Sequence, residues 1–254
     1  MLSDLLSLNV FYFLLVFARL SVVFLLMPGI SAAYVPTRIR LMLALLVTLI
    51  SLPLVQHYLP NQPESAAELV KLIFFEVVMG ALIGTVIQMV MTALNLAGMV
   101  ISRSAGLMNA FVDDPISNSQ SAIVISLLNV MAVVLIFSSG LHGFMIMAIV
   151  DSYSLISPNE PFLMGDLLNT VVTVLNKSFH IGLQIASPFL MYALVFQVTM
   201  GVMSRLSPQM NIFFVALPLQ ILLGFALLTI ALPAMMLVFL NFFDSNLHSL
   251  LAPS

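Results

Sequence analysis

The sequence predicts an all-α membrane protein of about six long, partly kinked helices, on three observations. Of its 254 residues, 62% are hydrophobic and only 7% charged, where a soluble domain carries about 25% charged. Mean hydropathy is +1.19. The apolar residues also gather into runs of about 20 or more, separated by short segments rich in proline and glycine. With 7 Lys and Arg and 10 Asp and Glu, the charges cannot cover a globule of this length. Lipid or other protein must therefore be the solvent for most of the surface.

The same composition excludes several function classes. A net charge of −3 offers no basic footprint for nucleic acid. Without cysteine there is no disulfide framework, thiolate metal site or cysteine nucleophile. The 4 histidines lack metal-ligand spacing, and no Gly-rich phosphate loop is present. The chain reads as a non-enzyme without a cofactor.

Taken in order, residues 1–8 carry Asp4 and no Lys or Arg, so the positive region of a signal peptide is missing. The run 5–27 is accordingly expected to stay as the first helix. Further helices are expected near 39–56, 68–103, 121–150, 168–206 and 209–247. Between them lie the breakers Pro28-Gly29, Val35-Pro36, Pro60 and Pro63, Asp114-Pro115, Pro158 and Pro161, and Ser207-Pro208. No linker is long or charged enough to divide the chain, which is read as one domain over 1–254.

Arg38, Arg40, Arg103 and Arg205 follow helices one, three and five. The segments after helices two and four hold Glu64, Glu68, Asp151, Glu160 and Asp166, with Lys71 and no Arg. Counting Lys and Arg alone puts the Arg-bearing turns in the cytoplasm and both termini outside. Helix length is the anomaly. The run 68–103 would be roughly 50 Å long against a hydrocarbon core of about 30 Å, and helices five and six carry Pro188, Pro218 and Pro233, each inviting a kink. Such lengths point to something larger than the bilayer being spanned or packed against.

Polar residues recur inside the apolar runs: Arg19, Glu76, Gln88, Asn95, Asn129, Lys177, Gln184, Gln197, Gln220 and Asn241. Each is costly against lipid and should face protein or water, either bonding between helices or lining a polar path. Glu76, Gly80 and Gly84 share one stripe of helix three, and Gly80–Gly84 is a GxxxG match that lets another backbone come close. This stripe reads as a tight protein-facing surface in preference to an ion site. The 18 methionines serve either as apolar filler or as a deformable collar. His142, beside the break at Gly140, reads as structural. Residues 106–121 mix Leu107, Met108, Phe111, Val112 and Ile116 with small polar residues, which a plain turn does not need. They read either as a re-entrant or capping segment or as a loop folded into a pore, since non-helical backbone at membrane depth must be buried in protein or line a cavity.

With these motifs in hand, the chain resembles the FliR family of flagellar type III export-gate subunits along most of its length. The matching stretches are Pro28-Gly29, Val35-Pro36-Thr37-Arg38-Ile39-Arg40, Glu76 with Gly80 and Gly84, Ala97-Gly98, Gly106 and Asp114-Pro115. They continue with Ile185-Ala186-Ser187-Pro188, Gly201, Ser204-Arg205 and Ser207-Pro208-Gln209-Met210-Asn211-Ile212-Phe213 before Pro218. A departure is Gly140-Leu141-His142-Gly143, where the family often shows Gly-His-His. The resemblance implies one copy of this chain in a helical core with FliP and FliQ, residues 1–165 being FliP-like and 166–254 a FliQ-like hairpin. It implies FlhB and FlhA as further partners and unfolded flagellar substrates, proximal rod proteins among them, as cargo. The implied location is the flagellar basal body in the bacterial inner membrane, with both termini periplasmic. The resemblance makes Gly106, Leu107, Met108, Phe111, Asp114, Pro115 and Ile116 a pore plug. It makes Glu76, Gly80, Gly84, Pro188, Arg205, Pro208 and Asn211 packing and assembly positions. The alternatives are a virulence-injectisome homologue and a small-solute transporter, although no repeat relates the two halves as transporters often require.

Overall fold

The structure, a computed structural model, describes residues 2–63, 65–108, 110–114, 116, 119–156, 164–206 and 213–251. Its elements in chain order are α1 (Leu2–Leu26), α2 (Thr37–Val55), a 3-10 turn (Gln56–Tyr58), α3 (Ala66–Ser104), β1 (Phe111–Asp114), β2 (Ser119–Ala122), α4 (Ile123–Ser138), α5 (Leu141–Leu155), α6 (Met164–Leu206) and α7 (Phe213–Leu251). The protein is an all-α membrane protein. Four helical stretches are long and apolar enough to cross a bilayer, namely Thr37–Tyr58, Ala66–Ser104, Leu168–Leu206 and Ala216–His248. The pair α4 and α5 makes a fifth candidate. The first expected helix, 5–27, is present as α1 over Leu2–Leu26, with an apolar stretch described over Val10–Leu26.

Two features of the connections have clear causes. The break expected within helix four is a turn of 77° between α4 and α5. Gly140 sits there at φ 78 and ψ 3, a left-handed conformation that glycine adopts without a Cβ clash. The segment after α3 is not irregular throughout. β1 and β2 pair antiparallel in the register Phe111↔Ala122, Val112↔Ser121, Asp113↔Gln120 and Asp114↔Ser119. Pro53, Pro188, Pro218 and Pro233 all lie inside continuous helices. At 39 and 43 residues, α3 and α6 are about 58 and 64 Å long at 1.5 Å per residue.

The chain forms two compact units, Met1–Val90 with Phe137–Val174 and Asp244–Ser254, and Met91–Ile136 with Leu175–Phe243. In the first, α1 packs on α2 and α2 on α5. α2 is built inside out for water and correctly for lipid. Its buried residues are Ala44, Thr48, Ser51 and Val55, a stripe of mostly small side chains that lets helices approach, and Thr48 returns its hydroxyl to the Ala44 carbonyl at 2.6 Å. Ile50 on the opposite side is 69% exposed while Thr48 is 0%. In the second unit the C-terminal half of α3 is met closely from three sides. A Cβ at Gly98 would lie 2.9 Å from Ile125 Cα of α4, one at Gly182 2.7 Å from the Ala93 carbonyl, and one at Gly224 2.9 Å from Ala105 Cα.

The α4–α5 corner yields a graded prediction. Among the described residues no neighbour lies within 4 Å of a Cβ at Gly140, so substitution there strains the backbone alone. Gly140→Ala should destabilise by about 1 kcal/mol, Gly140→Asn by less and Gly140→Val by more. Thermal unfolding of the detergent-solubilised variants checks the order, and equal stability of all three would refute the strained corner.

Candidate functional site

The first unit is organised around Arg19, a charged residue on an apolar helix with no exposure at all. Its Nε donates to Glu76 Oε2 on α3 at 2.6 Å. Nη1 donates to Ser152 Oγ on α5 at 2.9 Å, and Nη2 reaches the Ile156 carbonyl just past α5 at 3.5 Å. The guanidinium carbon lies 3.7 Å from the centre of the Tyr153 ring, and the Tyr153 hydroxyl donates to Glu76 Oε2 at 3.4 Å. A planar five-donor cation can join its own helix to two others at once, which a lysine ammonium cannot reproduce. Glu76, also 0% exposed, has in Oε1 an oxygen with no donor among the described residues.

The stripe below Glu76 brings α3 onto α1. A Cβ at Gly80 would stand 2.5 Å from the Arg19 carbonyl oxygen, and one at Gly84 2.8 Å from Leu26 Cβ. Glu76, Gly80 and Gly84 thus form one surface, with the ion pair at one end and backbone contact beyond it. In the first turn of α5, His142 stacks on Phe137 at 5.1 Å. Among the described residues no cluster of His, Cys, Asp or Glu could hold a metal ion.

The second unit carries the loop after α3. Gly106, at φ 70, ends α3 with a paired cap. Leu107 N–H donates to the Ser102 carbonyl at 2.8 Å and Gly106 N–H to Arg103 at 3.3 Å, as a left-handed residue after a helix permits. Gln220 of α7 adds a bond from Nε2 to the Ser104 carbonyl at 2.8 Å, occupying one of the acceptors a helix end leaves open. Beyond the cap the hairpin begins. Phe111 is 60% exposed and Met108 47%, whereas Asp114 is 2%. Asn129 of α4 donates to Asp114 Oδ2 at 3.1 Å and to Asn95 Oδ1 of α3 at 2.9 Å. Asp114 Oδ1 accepts the Ile116 N–H at 2.9 Å.

Of the other residues singled out, Pro188 is exposed within α6 and Arg205 exposed in its last turn. Pro115, Pro208 and Asn211 lie outside the described residues. Sequence reasoning missed the partners rather than the polar residues. Arg19, Glu76, Asn95, Asn129 and Gln220 all stand out within apolar runs, yet nothing local pairs Arg19 with a residue 57 positions away. Ser152, Tyr153 and the buried role of Asp114 carry no sequence signal at all.

The bacterial export proteins, family 1, match residues 10–246 of this sequence. The chain belongs to that family. Among the relatives of this export protein is the flagellar biosynthetic protein FliR of Caulobacter vibrioides, 36% identical over 224 residues covering 88% of this chain and 89% of the relative. The FliR of Bacillus subtilis is 27% identical over 241 residues, 94% and 92% of the two chains. The surface presentation of antigens protein SpaR of Salmonella typhimurium is 25% identical over 205 residues, 80% and 76%.

In this export protein, breaking the buried pair from one side should be worse than removing it. Glu76→Leu strands a desolvated guanidinium and should destabilise by about 3–5 kcal/mol, while Arg19→Met with Glu76→Leu recovers much of that loss. Arg19→Lys should behave like a broken pair. Protease resistance of the chain in membranes ranks the three. A double variant less resistant than Glu76→Leu would show that the charge is not what matters.

Proposed function

We propose that this chain is the FliR subunit of a flagellar type III protein export gate. One copy assembles with FliP and FliQ into the pore through which unfolded flagellar proteins, including those of the proximal rod, cross the inner membrane. FlhB and FlhA are further partners, and the setting is the flagellar basal body. The 36% identity to a flagellar FliR over most of both chains supports the flagellar assignment. The similarity to SpaR supports a second reading, a subunit of a virulence injectisome. Loss of motility without loss of effector secretion on deleting the gene separates the two.

One observation carries the gate reading: the α3–α4 connection is a short hairpin with an exposed aromatic, Phe111, and not a plain turn. On this reading Gly106 to Ile116, with Leu107, Met108, Phe111, Asp114 and Pro115, is the plug that keeps ions out while export is idle. The chain then works as a single export-gate domain, 1–165 in the role of a FliP subunit and 166–254 in that of a FliQ hairpin. A bond from the Tyr192 hydroxyl on α6 to the Gln220 carbonyl on α7, at 3.0 Å, supports the side-by-side packing such a hairpin needs. Glu76, Gly80, Gly84, Pro188, Arg205, Pro208 and Asn211 serve packing and assembly. No bond is made or broken, so the chain is a conduit and not an enzyme.

Two experiments test this reading. Deleting 110–119 should leave the particle assembled and make idle cells leaky to small ions, so normal assembly with no added leak overturns the plug. Arginine placement puts both termini in the periplasm and Arg38, Arg40, Arg103 and Arg205 on the cytoplasmic side. Ser3→Cys and Ser207→Cys in this cysteine-free chain should therefore label from opposite faces. Labelling of Ser207→Cys from the periplasm alone overturns the orientation.

A further inference from the structure

Asp114 is the last residue of β1 and pairs with Ser119 at the tip of the hairpin, whereas Phe111 and Ala122 pair at its base. The base joins the body through Ala110, whose carbonyl accepts the Ile123 N–H at 2.9 Å, and through the left-handed Gly106. A two-stranded ribbon is marginal alone in water, so its tip needs an anchor if it is to hold one position. Asn129 provides it, donating to Asp114 and so tying the tip to α4, and through a second bond to Asn95 it joins α4 to α3, with Asp114 2% and Asn129 3% exposed.

We propose that Asp114, Asn129 and Asn95 form a polar latch that holds the hairpin tip against α3 and α4, and that breaking it lets the hairpin swing about Gly106. The inference rests on the reading of this hairpin as the plug of an export gate, and these three are positioning residues for it. The latch is built to be weak. Asn129 Oδ1 is buried without a donor among the described residues, and a buried unpaired acceptor penalises the state that contains it. A fully satisfied network would rigidify the loop. This one secures the tip through a single side-chain bond, from Asn129 to Asp114.

The test uses the assembled complex in idle cells, with ion leak read as decay of the membrane potential. Losing one such bond shifts the ratio of open to closed hairpin about tenfold, equivalent to about 1.4 kcal/mol. Asp114→Ala and Asn129→Leu should each raise the leak about that much at unchanged levels of membrane-inserted chain. The exchanged pair, Asp114→Asn with Asn129→Asp, restores a donor opposite an acceptor and should return the leak close to that of the unaltered chain. Export itself should persist in all of them. If deleting 110–119 produces a leak and neither single variant does, the latch is wrong and the plug stands. If the deletion produces none, plug and latch fall together. Leaky single variants that the exchanged pair does not rescue also overturn the latch. Should the single variants fail to accumulate, Asp114→Cys with Asn129→Cys bridged by a short thiol crosslinker replaces them. Bridging should arrest export and cleaving the bridge should restore it, and export that continues through the bridged form refutes the proposal.

Discussion

Arg19 and Glu76 are ionisable side chains with no exposure, set in helices whose neighbours are nearly all apolar. An ion in such surroundings survives only with an opposite charge and enough hydrogen bonds to replace water. That requirement fixes the placement of three helices in the first unit. α1 supplies the cation, α3 the anion, and α5 the hydroxyl of Ser152 and the ring of Tyr153. Sliding one helix by a turn, about 5.4 Å, would leave an uncompensated charge in an apolar interior. The pair is therefore a register device more than a source of net stability, since buried ion pairs contribute little against well-packed apolar replacements.

Close approach is the second consequence of an apolar solvent. Lipid tails are as apolar as leucine, so burying large side chains between helices gains little, and contact area with good packing decides the interface instead. Hence the large apolar residues of α2 point outward while Ala44, Thr48 and Ser51 point in. Gly80 and Gly84 admit α1 on one half of α3, and Gly98, Gly182 and Gly224 allow contacts on its other half at distances no side chain would permit. Several hydroxyls inside these helices return to their own carbonyls four residues back, as Ser102 does to Gly98 at 2.7 Å and Ser104 to Val100 at 2.8 Å. They ask nothing of the lipid.

The hairpin after α3 obeys the same rule by other means. Leaving the helix exposes backbone groups that must be paired wherever water is scarce. The cap at Gly106, the side chain of Gln220 and the ladder between β1 and β2 supply those partners. What remains exposed is largely apolar, Phe111 and Met108, while the carboxyl of Asp114 is turned inward. On the proposed reading as a plug, exposed Phe111 and Met108 with a polar anchor at Asp114 suit a loop that rests against other protein and still moves.

Composition alone determined the solvent of this protein, because too few charges are present to face water. Run length and breakers then located most of the helices, and Gly140 and Gly106 marked real backbone corners because only glycine occupies their left-handed geometry without strain. Glu76, Gly80 and Gly84 were legible as one stripe, since helical spacing is a local property. Their counterpart on α1 was not, because which helix lies alongside depends on contacts across 57 residues. The hairpin also escaped the sequence. Asp and Ala are poor strand formers, and Phe111–Asp114 and Ser119–Ala122 become strands by pairing with each other. Local chemistry specified where polar groups occur along the chain, and the tertiary structure chose their partners, because only folding brings distant donors and acceptors within 3 Å or so of each other.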